Sequence, residues 1–175
     1  MAASLILKML EKNYAVIGLN VKDTYRKTDL LLKLYRKASW GMCEKFDDLN
    51  EITYEKSLGG EDMLNYLLNF APDKELEVFR TRAETAIQTR ALIDLIDKSA
   101  VKMKEYPDSG AMYYSIIDLK YLNYFKYSEE DILEELDLER STYYRKKKEA
   151  ITLLGYILFG ISMPDHISSQ KVANF

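Results

Sequence analysis

The sequence predicts an all-α protein, and three features carry that prediction. Only three prolines and seven glycines interrupt 175 residues, too few breakers for a chain of short strands and tight turns. Leu, Lys, Glu and Ala, all good helix formers, are abundant. Apolar residues recur at helical spacing between the breaks. With 47% hydrophobic and 30% charged residues, the chain can bury one good core, or form two small helical lobes sharing one. The expected architecture is an N-terminal helical lobe with a long spine helix over residues 1–105. A C-terminal helix-turn-helix domain ending in an apolar helix follows over 106–163, then a flexible tail over 164–175.

Residues 3–17 predict a first amphipathic helix, in which Leu5 and Met9 begin a stripe continued from Lys12 to Val16. Gly18-Leu19-Asn20 reads as a turn. Asp23 or Thr24 is placed to cap a second helix running to about Trp40, with Tyr25, Leu31 or Leu32, and Tyr35 at helical spacing. That helix carries Lys22, Arg26, Lys27, Lys33, Arg36 and Lys37 against Asp23 and Asp29. Such long cations ordinarily form a solvated face that covers apolar neighbours; the other reading is a secondary phosphate-contacting surface. Residues 47–60 read as a loop or short helix broken at Gly59-Gly60, and 61–70 as a short apolar helix. The longest helical pattern runs from about Lys74 to Glu105. Leu76, Phe79, Ala83, Ala86, Ile93 and Ala100 trace its near-heptad stripe, which Arg90 and Asp97 interrupt. Its second half is apolar over a wide arc and so predicts a spine buried on two sides. Tyr106-Pro107-Asp108-Ser109-Gly110 is the strongest turn signal and the expected domain boundary.

Beyond it, a helix from Ala111 to about Leu122 shows Tyr114, Ile117 and Tyr121 on one face, and 123–127 is a short connection. Ser128 and Asp131 fit a capping box with a shorter acid. Glu129, Glu130 and Asp131 crowd the first turn, where the helix dipole favours acids. Ile132 and Leu136 face inward together. Asp137-Leu138-Glu139 is long enough for a tight turn, with Leu138 plugging the angle between two helices. The next helix, Arg140 to Leu154, carries Arg140, Arg145, Lys146, Lys147 and Lys148 with no acid among them. It does so in a chain of net charge −3 and pI near 5.4. At about 100° per residue, Arg140, Ser141, Tyr144, Arg145 and Lys148 share one face. Tyr143, Ala150 and Leu153 lie opposite, towards the core. Small polar residues early and cations later suit a helix entering the major groove of double-stranded DNA, with base edges met first and phosphates after. The expected DNA-binding set is Arg140, Ser141, Thr142, Tyr144, Arg145, Lys147 and Lys148. A basic amphipathic helix by itself is most often a solvated face. The combination of capped acidic helix, short turn with an apolar middle and basic helix is what favours DNA.

Tyr121-Leu122, Tyr127-Ser128, Asp131-Ile132 and Leu136, followed by Arg140-Ser141-Thr142-Tyr143-Tyr144-Arg145-Lys146-Lys147-Lys148-Glu149-Ala150, carry a family likeness. Together they resemble the C-terminal region of ArpU/RinA-type phage transcriptional regulators, which look like region 4 of bacterial sigma factors. The likeness extends from about Tyr114 to Leu154. It implies a sigma-region-4-like helix-turn-helix that binds promoter DNA, a regulatory role in phage or mobile-element transcription, and contact with RNA polymerase. Three positions depart from the family. Its usual turn glycine is Asp137 here, tolerable because Asp adopts the left-handed conformation. Its usual N-cap serine is Glu139, a poorer cap that puts negative charge near the DNA backbone. Lys146 stands where an apolar residue is usual, so it must snorkel or meet a carboxylate from the N-terminal lobe. Two other readings stand beside this one: a phage DNA-packaging protein of the terminase-small-subunit kind, and a helical module whose basic helix meets an acidic protein.

Cys43 is the only cysteine and His166 the only histidine. No intrachain disulfide, usual zinc set, or Cys–His or Ser–His nucleophilic pair is therefore available. The acids read as solvated faces and caps, so no enzyme, cofactor or metal site is expected, and His166 reads as incidental. The first apolar stretch is interrupted by Lys8, Glu11 and Lys12, unlike a signal peptide. No run reaches the roughly 20 apolar residues of a membrane span. The expectation is a cytoplasmic protein, at the nucleoid when bound to DNA, with no membrane association. Ile151 to Met163 is nearly all apolar and must be buried. It either packs inside the N-terminal lobe or makes a two-fold homodimer contact that pairs two DNA-reading helices over a palindromic site.

Overall fold

The computed structural model describes residues 4–45, 81, 90–107 and 109–160. The expected elements at 47–60 and 61–70, most of the first half of the 74–105 pattern, and the tail lie outside the described residues. Among the described residues every element is helical and none is a strand, so the protein is all-α. The helices are α1 (Leu5–Val16), α2 (Val21–Lys45), α3 (Arg90–Lys104) and α4 (Gly110–Ile117), which widens into a π-helical turn (Asp118–Leu122). Then come α5 (Glu129–Glu135) and α6 (Arg140–Gly160).

α1 stops on a left-handed glycine. Gly18 has φ +71°; Leu19 N–H donates to the Tyr14 carbonyl at 3.0 Å and Gly18 N–H to that of Ala15 at 3.2 Å. These are the paired bonds of a Schellman end. α2 begins earlier than Asp23, because Asn20 is the cap: its Oδ1 accepts from Asp23 N–H at 2.9 Å. Asp23 falls instead in the first turn, complementing the dipole, and Thr24 is buried. The inward stripe of α1 also differs from the expected one. Leu5, Met9 and Val16 are exposed, whereas Leu10 and Tyr14 are buried. Both stripes have helical spacing. Tyr14 decides between them, since its hydroxyl donates to the Thr152 carbonyl of α6 at 2.8 Å.

α6 is the axis of the molecule. The basic helix and the apolar segment after it form one unbroken element that runs past Leu154 to Gly160. From Glu149 to Gly155, and again at Leu158 and Phe159, its side chains are buried. α1, α2, α3 and α4 surround it. A helix apolar on every side is stable only when enclosed in this way, and the enclosure comes from this chain's own helices. Gly155 permits a close approach of α1 and α2 to α6: a Cβ there would stand 2.6 Å from Thr28 Oγ1 and 2.9 Å from the Tyr14 hydroxyl.

The main apolar cluster joins Leu10 and Tyr14, Leu31 and Leu32, Leu92 and Ile96, Ile117, and Leu154 and Phe159. It therefore draws on both sides of the Tyr106–Gly110 turn. A second cluster of Ile116, Ile132 and Tyr143, with Leu136 and Leu138 against it, seats α5 between α4 and the start of α6. Ile117 and Tyr121 enter the core as their spacing predicts. Tyr114 is only half-buried, and Ile116 is buried instead because α5 covers a second side of α4. Tyrosine hydroxyls tie the seams between helices. Tyr35 donates to Asp97 at 2.7 Å, Tyr121 to Asp29 at 3.0 Å and Tyr113 to Glu149 at 2.9 Å. Each ring fills apolar space while its polar tip finds an acceptor, and burial holds all three phenols well above their ordinary pKa.

Candidate nucleic-acid interface

The sequence around α5 builds the approach to α6 by local rules. Asp131 N–H donates to Ser128 Oγ at 3.1 Å, and Ser128 N–H to Asp131 Oδ2 at 2.8 Å, completing the expected capping box. Those bonds hold the Asp131 carboxyl below its usual pKa. α5 ends as α1 does. Leu138 N–H donates to the Leu133 carbonyl at 3.0 Å and Asp137 N–H to that of Glu134 at 3.2 Å. Asp137, at φ +48°, takes the glycine position of this second Schellman end. Glu139 supplies the first carbonyl of α6, accepting from Tyr143 N–H at 2.9 Å.

Arg140, Ser141, Tyr144, Arg145 and Lys148 are all exposed, on one side of α6, and Tyr143, Ala150 and Leu153 are buried on the other. Thr142 and Lys147 lie half-buried on the two flanks. Among the described residues, no carboxylate pairs with Arg145 or Lys148. Arg140 and Tyr144 are different. Arg140 Nη2 lies 3.0 Å from Glu130 Oε1, and its Nε lies 3.9 Å from Glu129 Oε1. The Tyr144 hydroxyl donates to both Glu129 oxygens, at 2.7 and 2.9 Å, and that bond raises its pKa. Spacing assigns Glu129 and Glu130 to the α5 dipole alone. The reversal of the chain at Asp137 lays them on the first turns of α6 as well.

Lys146 does meet a carboxylate, but one from its own helix and not from the N-terminal lobe. Its Nζ lies 3.5 Å from Glu149 Oε2, 3.2 Å from Ser109 Oγ and 5.3 Å from the centre of the Tyr113 ring. Glu149 is buried, so the Tyr113 hydroxyl and Lys146 together satisfy a carboxylate that would otherwise be costly.

Lys147 turns towards α2. Its Nζ lies 5.8, 5.9 and 6.0 Å from the rings of Tyr143, Tyr144 and Tyr121. Burial, followed by the neighbouring Lys120 and Lys33 charges, pushes its pKa below the usual lysine value against the opposing pull of Asp29 and Glu129. It lines a cleft of about 370 Å³ with Tyr25, Asp29, Leu32, Lys33 and Arg36 of α2 and Lys120 and Tyr121 of the π turn. Arg36 fixes that wall by donating to the Asn123 and Lys120 carbonyls at 2.9 and 2.8 Å. Sequence spacing singles out the cations of α2 but gives no sign that two of them meet the π turn and α6.

Among the described residues no group of His, Cys, Asp or Glu is arranged to hold a metal ion, and no helix is long and apolar enough to cross a membrane. No family model matches the chain, and no curated protein or solved structure matches it either.

Proposed function

We propose that this chain is a sequence-specific, double-stranded-DNA-binding transcriptional regulator of phage or mobile-element origin, which lays the first half of α6 in the major groove. One observation carries the reading: α6 presents Arg140, Ser141, Tyr144, Arg145 and Lys148 on a single exposed face while its second half is locked in the core. A groove-reading helix needs such an anchor, because a loose helix would spend binding energy on its own ordering. On this reading α5 and α6 are the two helices of a helix-turn-helix. Ser141 and Thr142 meet base edges near the α6 N-terminus, Arg145 reads a guanine edge, and Lys148 takes a backbone phosphate. The apolar half of α6 is already enclosed by the chain, so this reading requires no homodimer. The origin and the contact with RNA polymerase come from the ArpU/RinA and sigma-region-4 resemblance.

Glu130 does not prevent Arg140 from taking part. An exposed ion pair contributes about 0–1 kcal/mol, so releasing the guanidinium from Glu130 to DNA costs little. The carboxylates seated on Arg140 and Tyr144 favour one second reading, in which this face meets an acidic segment of a protein partner. Gel-shift titration with duplex DNA from upstream of the encoding gene separates the two. Arg140→Ala combined with Arg145→Ala is expected to abolish binding and leave the melting temperature unchanged. Undiminished affinity in that folded variant would overturn the assignment.

A further inference from the structure

We propose that the cleft between α2, the π turn and α6 is a phosphate-binding site, and that its ligand is a backbone phosphate of the DNA lying along α6. The source of the phosphate rests on the DNA-binding reading; the phosphate site itself does not.

Lys33, Arg36, Lys120 and Lys147 line this cleft against the single carboxylate of Asp29. Asp29 is already committed: Lys33 Nζ sits 2.6 Å from its Oδ2, and the Tyr121 hydroxyl donates to its Oδ1 at 3.0 Å. Arg36 is held by two neutral carbonyls, so its position is fixed without its charge being cancelled. No described carboxylate forms an ion pair with Arg36, Lys120 or Lys147. These three cations come from parts of the chain far apart in sequence and are gathered only by the tertiary fold. Cations brought together at a half-buried place repel one another and lose hydration, and the lowered pKa of Lys147 reflects both effects. An anion seated among them relieves both.

The occupant is defined by chemistry and position. A phosphate offers several acceptor oxygens, suited to two ammonium groups and to the guanidinium N–H groups of Arg36 that the two carbonyls leave free. The cleft also shares a wall with the proposed reading face. Lys147 Nζ stands 5.9 Å from the ring of Tyr144 on that face and 6.0 Å from the ring of Tyr121 inside the cleft. A duplex meeting Arg145 and Lys148 would therefore carry its backbone past the cleft mouth. This gives α2 a part in binding as the outer jaw on the phosphate.

The test compares the full chain with its Lys120→Gln/Lys147→Gln and Lys120→Arg/Lys147→Arg variants, each checked for an unchanged melting temperature. If the glutamine pair does not fold, Lys120→Gln alone replaces it. Duplex affinity is measured against salt for two unrelated sequences, and inorganic pyrophosphate is titrated while amide resonances around Lys147 are followed. The glutamine variant is expected to lose about tenfold in affinity for both sequences alike and about one unit of salt slope, with the arginine variant restoring both. Wild-type duplex binding with the same affinity and slope in the glutamine variant, and no response to pyrophosphate, overturns the site and leaves the DNA reading standing. If wild type binds no duplex, the DNA reading and the DNA source both fail. A pyrophosphate response abolished by the glutamine variant would then support the phosphate site with a free phosphorylated ligand.

Discussion

Glu129 and Glu130 hold two of the side chains that DNA would need, and removing their charge tests how α6 is used. Glu129→Gln with Glu130→Gln frees Arg140 and Tyr144 and takes two like charges away from the approaching backbone. Duplex affinity, read by fluorescence anisotropy, is expected to rise several-fold; a fall would mean that the pairs preorganise the face. Two buried tyrosines make a second contrast. The Tyr143 hydroxyl is buried with no hydrogen-bond partner among the described residues, and burial lifts its pKa to about 12. Tyr143→Phe is accordingly expected to be neutral or stabilising in urea unfolding. Tyr113→Phe strips the buried Glu149 of a donor and should cost about 1–3 kcal/mol. Asp131 supplies the pH dependence. Its folded pKa is lowered by the capping bonds to Ser128, so the stability it lends is complete above the ordinary carboxylate pKa. That contribution is lost as the pH falls through the lowered value. Amide protection in α5 should follow that course and become flat over the same range in Asp131→Asn.

α6 works as an element because its two halves face different media. Its C-terminal half is gripped where Gly155 meets Thr28 and Tyr14, and Gly155→Ala should cost about 1–3 kcal/mol by overpacking. A loss below about 0.5 kcal/mol would show that α2 moves aside easily. α5 is oriented by the left-handed Asp137. Asp137→Gly should stabilise by up to about 1 kcal/mol, measured as a higher urea midpoint. The devices that were legible in the sequence lie within one element or one turn: the Ser128–Asp131 box, the tolerance of Asp137 for its conformation, and the periodic division of α6 into charged and apolar sides. The α1 stripe was not legible, because Leu5/Met9 and Leu10/Tyr14 have the same spacing. Only the acceptor that α6 offers to Tyr14 distinguishes them. Asn20 likewise outcompetes Asp23 as the α2 cap by geometry that spacing alone does not reveal.

At the scale of the molecule, the all-α class and the exposed basic face follow from composition and period. The meeting of α2 with the π turn and α6 does not. Arg36 reaches carbonyls 84 and 87 residues away, and no local pattern encodes such a pairing. The same gap hides the acids over Arg140, which become neighbours only through the reversal between α5 and α6. One shared core links these parts, so the face of α6 is presented by the whole fold and not by an isolated pair of helices. The most direct measurement of the proposed role is amide chemical-shift mapping of the full chain on titration with duplex DNA. Shifts are expected to concentrate at residues 140–148 of α6, with a smaller set at Lys33, Arg36 and Lys120 and almost none at residues 150–159. No shifts at 140–148 under conditions where the duplex binds, or shifts centred on another surface, would contradict the proposed role.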